Sequence, residues 1–454
     1  MIRTRLLGAS LALGLLASPG LLARTASVDG YTYVKSLDQV DEYRLDSNGM
    51  TVLLAPRHAA PVVTCMVTYH VGSRNEVTGS TGGTHLLEHL MFKGSTNFDK
   101  AKGNGIDAYL ERVGANFNAT TSFDRTNYYA TLGPEALQGY IAIEADRMRN
   151  LLLRDGDRKD EMTVVRNEYE RSENDPWSAL DVQVWSAAYQ AHPYHHPTIG
   201  WRSDIENVSI DKLRAFYDTY YWPNNATVTV VGDFEPAQVL GWIKQYYGAI
   251  PRSPQAIPAL YTSEPEQRGA RRVVLRRAAQ SGALMMGFKA PSALDPDAAA
   301  LTMLGLVLHN GKSSRLSRAL MDSSLATDVV AHLQLQHDNS LFSVGAMMVP
   351  GIAPEQAEKV VLEQIEKIKT DGVSAEEITR ALGPYRTDQA FRRDGTSNTA
   401  AALNEYIAVG DWTLYATFLD KLEAVTPADV QRVARKYLVE DQGTTGWFLP
   451  EASK

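Results

Sequence analysis

The sequence lacks several features that would place it in familiar protein classes. Cys65 is the only cysteine among 454 residues, so no disulfide can form within the chain and its stability has to come from packing. The net charge is −8, with acidic and basic residues interspersed, and no basic stripe is available for a nucleic-acid backbone. After the first residues, no run reaches the roughly 20 apolar residues of a membrane-spanning helix. We therefore expect neither a nucleic-acid partner nor a stable membrane span.

What is present is the composition of a folded protein. Hydrophobic residues make up 44% of the chain and charged residues 22%, and the length is typical of two to four domain-sized units. Cys65 lies in an alternating apolar run, residues 62–67, where a buried and inert thiol is expected. A cysteine hydrolase is therefore disfavoured.

The first 26 residues have the pattern of an export signal. Arg3 and Arg5 precede an apolar run at residues 6–16, and small residues follow up to Ala26. The apolar run is too short for a permanent membrane helix. We therefore predict a signal peptide at residues 1–26, cleavage near Ala26 although Arg24 stands close to it, and export to the periplasm.

The rest of the chain divides at a proline-rich segment. Residues 251–268 contain repeated prolines, which disrupt helices and sheet ladders. The flanking parts resemble one another: a capped helix and a strand at residues 206–232 recur at residues 423–448, at a constant offset (423 − 206 = 217). We predict two related α+β domains, residues 27–250 and 269–454, joined by this linker. Chance similarity between two α+β stretches is the alternative.

A possible metal site lies in a helical segment that follows Gly82 and Gly83. The apolar residues 86, 87, 90 and 91 recur with helical period. His85, Glu88 and His89 then fall at positions i, i+3 and i+4, so their side chains share one surface. Two imidazoles so placed can chelate a zinc ion, and the carboxylate between them can act as a base. Two ordinary surface histidines are the alternative.

A third ligand could come from a second amphipathic helix, predicted over residues 158–173. Glu161 and Glu168 lie two turns apart on that helix and point the same way. One of them could bind the metal, and the other could support a ligand.

The segment from His85 to Gly94 resembles the inverted zinc motif of the pitrilysin, insulysin and mitochondrial processing peptidase family. The resemblance continues at residues 118–120, 124–129 and 145–148, and at the glutamate pair. It implies two α/β-sandwich halves with antiparallel-rich sheets and a zinc metalloendopeptidase with one Zn²⁺ per chain. It makes His85, His89 and Glu168 the metal ligands.

The resemblance also assigns roles to other residues. It makes Glu88 the general base and Glu161 a carboxylate that orients a ligand. The strand-like run at residues 116–123 resembles the family's substrate edge, which implies that Asn118, Ala119 and Thr120 bind an extended peptide. An ordinary edge strand is the alternative for this run.

One part of the family pattern is missing. Active members carry an arginine and a tyrosine in the second half that hold the substrate, and here Met321 and Asp328 stand at those positions. We therefore expect a homologous subunit to supply the two donors in a hetero-oligomer, with a homodimer as the alternative assembly. A non-catalytic structural subunit and a peptide-binding protein of the same fold are the competing interpretations.

Overall fold

The structure is a computed structural model that describes residues 28–451, and the predicted signal peptide lies outside the described residues. Strands occur in both halves of the chain. They are β1 (Tyr31–Leu37), β2 (Val40–Leu45), β3 (Thr51–Pro56), β4 (Val63–Tyr69), β5 (Asn116–Thr121), β6 (Thr126–Leu132), β7 (Ala226–Gly232), β8 (Arg271–Ala278), β9 (Ala283–Ala290), β10 (Ala326–Leu333), β11 (Ser340–Met348) and β12 (Gly443–Glu451).

Helices cover both sheets. They are α1 (Gly83–Leu90), α2 (Ile106–Arg112), α3 (Leu137–Arg149), α4 (Asp155–Asn174), α5 (Pro176–Ala188), α6 (Arg202–Asn207), α7 (Ile210–Tyr220), α8 (Pro236–Tyr247), α9 (Ala298–His309), α10 (Pro354–Asp371), α11 (Ala375–Arg392), α12 (Thr396–Ala408), α13 (Leu414–Glu423) and α14 (Pro427–Tyr437). Among residues 28–451, none of these helices is long and apolar enough to cross a lipid bilayer.

The strands form two sheets with a shared plan. The order is β1-β2-β3-β7-β4-β6-β5 in the first and β10-β11-β9-β12-β8 in the second. In each sheet one pair is parallel, β3 with β7 and β8 with β12, and the other pairs are antiparallel. The predicted α+β fold with two related halves is confirmed. Below, the first half is residues 28–250 and the second half is residues 271–451.

The predicted repeat appears as α7 with β7 and α14 with β12. Ser209 caps α7 through the Lys212 N–H, and Thr426 caps α14 through the Asp429 N–H, because a short hydroxyl side chain satisfies a free amide of the first turn. Residues 251–270 contain no helix or strand. The domain boundaries proposed around this segment stay a prediction.

Each half contributes one helix to the sheet of the other half. In the first sheet, β4 is buried along its whole length, because α3 covers one face and α12, from the second half, covers the other. Leu403 of α12 packs among Met66 and Val231 there. In return, Leu180 of α5 packs against Met285 in the second sheet. The two halves therefore share their apolar cores.

Candidate metal centre

The short helix α1 is fixed at its start by backbone geometry and by one carboxylate. Gly82 precedes it with φ +80°, and a β-carbon there would lie 2.2 Å from the Ile199 carbonyl oxygen, so this position requires glycine. Glu76 accepts hydrogen bonds from the N–H groups of Gly82 (2.8 Å) and Thr84 (2.7 Å). The buried Glu76 therefore anchors the first turn of α1.

The apolar side of α1 faces the core, and its polar side faces α4. Leu86, Leu87 and Leu90 are buried, which turns His85 and His89 toward α4. The two Nε2 atoms lie 3.3 Å apart. Glu168 Oε2 of α4 lies 3.7 Å from His85 Nε2 and 3.6 Å from His89 Nε2. Among the described residues, this is the one group of three that could hold a metal ion; its role as ligand set stays a prediction.

Glu161, one of the two predicted helix carboxylates, contacts a histidine rather than joining this group. Its Oε1 lies 2.8 Å from His89 Nδ1, and its Oε2 pairs with the Lys93 ammonium. The hydrogen bond from His89, with Lys93, lowers the pKa of Glu161 to about 2. Within residues 28–451, His85 Nδ1 is buried without a corresponding partner. Glu161 therefore holds the His89 ring through its Nδ1, and its role as a carboxylate that supports a metal ligand stays a prediction.

Glu88 lies on the same helix but outside the three-residue group. It is 8% exposed, and the Thr121 hydroxyl donates a hydrogen bond to its Oε2. Burial raises the pKa of Glu88, although the Thr121 hydroxyl opposes the shift. The carboxylate is therefore held in one orientation and is readier to accept a proton than an exposed glutamate.

The strand β5 forms one wall of the cavity beside these groups. It is one of the two edge strands of the first sheet. A cavity of about 480 Å³ lies beside this strand. Its lining comprises the three candidate metal ligands (His85, His89 and Glu168), the carboxylates Glu88 and Glu161, the side chains of Phe92 and Lys93, and Asn118, Ala119, Thr120 and Thr121. All the site residues predicted from the sequence therefore border one space. Substrate binding by Asn118, Ala119 and Thr120 stays a prediction.

Three contributors to this site were missed by sequence reasoning. Thr121 lies 33 residues from Glu88, and Glu76 lies outside α1, at six and eight residues from the N–H groups that it contacts, where no helix or strand spacing predicts a contact. Lys93 stands within the motif, but its partner Glu161 is on another helix. In the second half, Met321 ends a π-helical turn (Ser317–Met321), and Asp328 is exposed on the edge strand β10.

Two family models match the chain. Residues 51–201 match a model described as insulinase (peptidase family M16), and residues 207–383 match a model described as the peptidase M16 inactive domain. The candidate metal residues and Glu88 all lie in the first of these stretches.

Known proteins resemble the chain along most of its length. Zinc protease PqqE of Helicobacter pylori is 30% identical over 440 residues, covering 96% of this chain and 98% of the relative. The crystal structure of a protease from Helicobacter pylori matches with a TM-score of 0.86 and 31% identity, covering 91% of this chain and 100% of that one. The periplasmic protease PqqL from Escherichia coli matches in fold, with a TM-score of 0.75 and 17% identity, covering 92% of this chain and 48% of PqqL.

Proposed function

This chain belongs to peptidase family M16, and on that basis we propose that it is a zinc metalloendopeptidase acting on unfolded peptides or small proteins. One observation carries the proposal: two imidazole nitrogens and a carboxylate oxygen lie within 4.8 Å of one another, beside a buried carboxylate that does not belong to the group. A family of zinc peptidases and a histidine–histidine–glutamate cluster point to the same chemistry.

The donor set fits zinc. Catalytic zinc sites use three protein ligands of nitrogen and oxygen type and leave a further position open. His85, His89 and Glu168 would hold one ion per chain, and Glu161 would fix the His89 ring through its Nδ1 (2.8 Å). When bound, zinc would polarise the scissile carbonyl and make water easier to deprotonate.

Glu88 would carry the proton in this reaction. It would take a proton from the attacking water and then deliver it to the leaving amine, as a general base that becomes a general acid. The hydroxyl of Thr121 holds one carboxylate oxygen, so the other oxygen would remain free for the water.

The open edge of β5 would bind the substrate as an added strand. The Ser122 N–H donates to the Arg125 carbonyl (2.9 Å). Because hydrogen-bonded and non-hydrogen-bonded pairs alternate along an antiparallel ladder, the main-chain groups of Phe117, Ala119 and Thr121 face away from β6. The Asn118 side chain accepts from the Ala119 N–H (2.9 Å), a bond that a peptide carbonyl would replace.

A partner subunit would complete the active site. Met321 and Asp328 cannot supply the positively charged and phenolic donors that the family uses to hold a substrate. This chain spans about half of the length of PqqL, which is consistent with an active body built from two such units. We propose a homologous subunit bearing the arginine and tyrosine as the partner; a homodimer is the alternative assembly, although its second copy carries the same Met321 and Asp328.

Two further features belong to the same proposal. Residues 1–26 would act as an export signal and deliver the chain to the periplasm, the compartment named for PqqL. Residues 27–250 and 269–454 would be two homologous domains, with residues 251–268 as the linker.

The test uses the full-length mature chain, co-purified with its native partner and loaded with zinc. Incubation with unfolded peptides should yield shortened products by mass spectrometry, faster from the mixture than from the chain alone. Equal rates would exclude the need for a different subunit. No cleavage by the zinc-loaded mixture would exclude the peptidase.

A non-catalytic structural or peptide-binding subunit is the second candidate function. It is supported by the match of residues 207–383 to the model described as inactive and by the absence of the expected arginine and tyrosine from positions 321 and 328. Such a protein would bind peptides at the β5 edge without shortening them, and it would require no zinc. Zinc content near one ion per chain argues for the peptidase.

A further inference from the structure

The end of β5 lies between two helices that come from different halves of the chain. Successive residues of a strand point to opposite faces, and Thr121 uses its hydroxyl to contact Glu88 on the α1 face. Thr120 therefore points to the other face, where its hydroxyl donates to Asn127 Oδ1 (2.5 Å). On that second face, α12 packs on the neighbouring strands β4, β6 and β7.

One arginine connects this strand end to α12. Arg125 is 8% exposed. Its Nη1 donates to the carbonyl oxygen (3.1 Å) and the hydroxyl (2.6 Å) of Thr120 and to Asn127 Oδ1 (3.1 Å). Its Nη2 donates to Glu405 Oε1 of α12 (2.6 Å). A single guanidinium therefore connects both strands of the hairpin to a helix 280 residues away.

The acceptor on α12 is itself held in place. The neighbouring Asn404 donates from Nδ2 to Glu405 Oε1 (3.2 Å) and accepts from the Thr68 hydroxyl of β4 (2.7 Å). Leu403 of the same helix is fully buried against the first sheet. The position of Glu405 is therefore set by the packing of α12 on this sheet.

An arginine at position 125 would destabilise the protein more than necessary if its only role were to hold the β5–β6 hairpin together. Its Nε is buried and has no hydrogen-bond partner within residues 28–451, and an incompletely bonded buried charge destabilises a protein. A smaller neutral residue would leave the hairpin to its backbone hydrogen bonds and avoid that cost. Side chains that lower the stability of the folded state in this way are typical of functional sites.

We propose that Arg125 and Glu405 are positioning residues for the reaction. They fix the end of β5 nearest the metal centre, and with it both the main-chain groups that receive the substrate strand and the Thr121 hydroxyl that orients Glu88. The second half thus contributes to the active site of the first half through α12. This inference rests on the proposed peptidase function.

The kinetic test uses the full-length chain with its partner and zinc. Glu405→Gln keeps an accepting oxygen but removes the negative charge that faces Arg125, and the side chain is 59% exposed, so folding should be nearly unaffected. We expect kcat/KM to fall about tenfold at unchanged zinc content, because small displacements of catalytic groups are expensive. Arg57→Gln is the matched control, since Arg57 also contacts the α12 region, at the Arg393 carbonyl and Thr399; its kcat/KM should stay within about twofold of the wild type.

A double-mutant cycle separates the contribution of the pair from a simple loss of packing. Arg125→Gln and Glu405→Gln should each lower kcat/KM, and the double variant should lower it no further than Arg125→Gln alone, because either single change already breaks the pair. Wild-type kinetics for Glu405→Gln, or losses that add up in the double variant, would overturn the proposal.

Hydrogen exchange tests the same inference without any need for catalysis. In the zinc-loaded chain, Glu405→Gln should accelerate amide exchange at residues 118, 120 and 122, whose N–H groups face β6 and its turn, and should leave β4 unchanged, while Arg57→Gln should leave both unchanged. Equal exchange in the wild type and Glu405→Gln would overturn the proposal. A wild type with no peptidase activity would instead exclude the proposed function, and the exchange result would still show whether the pair positions β5.

Discussion

The two halves of the chain share a sheet plan, but their corresponding helices carry different side chains. α1 follows β4 in the first half, and α9 follows β9 in the second. α1 presents His85, Glu88 and His89 on one side, whereas ten of the twelve residues of α9 are buried and none of its residues is acidic. The shared fold alone therefore does not create the candidate metal centre, which depends on a few polar residues present on only one of these two helices.

The halves also differ in how their sheets end. In the first half, β3 is covered on its outer side by the hairpin of β1 and β2, whereas the corresponding strand β8 is the last strand of the second sheet. What the halves share is the exchange of a helix, α5 for α12. Neither sheet can be covered fully by its own half.

The prediction with the largest expected effect compares the chemical roles of α1 and α9. Glu88→Gln should lower kcat by about 10²–10⁴, because general base catalysis is lost while the carboxamide keeps the shape of the side chain. Zinc content, measured by atomic absorption, should stay near one ion per chain. His309→Gln, on the corresponding helix α9, is the control and should leave kcat unchanged. If Glu88→Gln kept its activity, the proposed catalytic difference between α1 and α9 would be contradicted.

The next effect tests the helix exchange. Leu403→Ala in α12 and Leu180→Ala in α5 each remove a fully buried side chain from the sheet of the opposite half. Each should lower the free energy of unfolding by about 2–5 kcal/mol, measured by urea denaturation of the zinc-loaded chain.

If the halves depend on each other, each of these leucine variants should still unfold in one transition. Two separate transitions would show that the halves are independent and that the exchange contributes little to cooperativity. Val164→Ala in α4, a 44% exposed side chain, is a suitable control with an expected change below about 0.5 kcal/mol.

A smaller effect concerns the difference between the two histidines of the candidate metal centre. Glu161→Gln removes the charge that orients His89, and no corresponding group faces His85 Nδ1 among the described residues. We expect the zinc affinity to fall about 10–100-fold, measured by competition with a chelator. Glu170→Gln, on the exposed side of α4, should leave the affinity unchanged. Equal zinc affinities for the wild type and Glu161→Gln would mean that zinc binding does not depend on the contact between Glu161 and the His89 ring.

The smallest effect lies at the start of α9. Asp297 accepts bonds from Arg432 (2.7 Å), Lys436 (2.8 Å) and Tyr437 (2.9 Å) of α14. Burial opposes these contacts, but they outweigh it and lower the pKa of Asp297 from the ordinary 3.8 to about 2. Asp297→Asn should therefore lower the free energy of unfolding by about 1 kcal/mol at neutral pH.

The pH dependence of that difference has a defined sign. A carboxyl group whose pKa is lower in the folded state than in the unfolded state stabilises the folded state fully at pH values above its unfolded-state pKa. This stabilisation is lost as the pH falls toward the pKa of the folded state. The gap between wild type and Asp297→Asn should be constant from pH 5 to pH 7 and narrow from about pH 4 to about pH 2. A gap that widens toward acid would contradict the assignment of these contacts.

Much of the fold could be predicted from local patterns. The predicted helix at residues 158–173 is α4, the alternating run around Cys65 is β4, and the caps Ser209 and Thr426 begin the helices expected of them. The spacing of His85, Glu88 and His89 also holds, because residues three and four apart on a helix are neighbours. All these signals lie within a few turns of the chain.

Contacts between distant segments could not be predicted in the same way. Nothing in the sequence around Arg125 indicates an acceptor at Glu405, and nothing around Lys93 indicates Glu161. The exchange of α5 and α12 was also missed, since an amphipathic helix predicts that one of its faces is buried and leaves the partner open.

The sequence by itself therefore determined several helices and strands, the repeat and the presence of two histidines and a carboxylate on one helical face, because these depend on periods of two and 3.6 residues along a continuous chain. Only the tertiary structure decided that Glu168 approaches both histidines, that Glu161 contacts one of them, and that a helix of the second half reaches the end of β5 through Arg125 and Glu405. Such pairings depend on how whole sheets and helices pack in space, and no local period of the sequence encodes them.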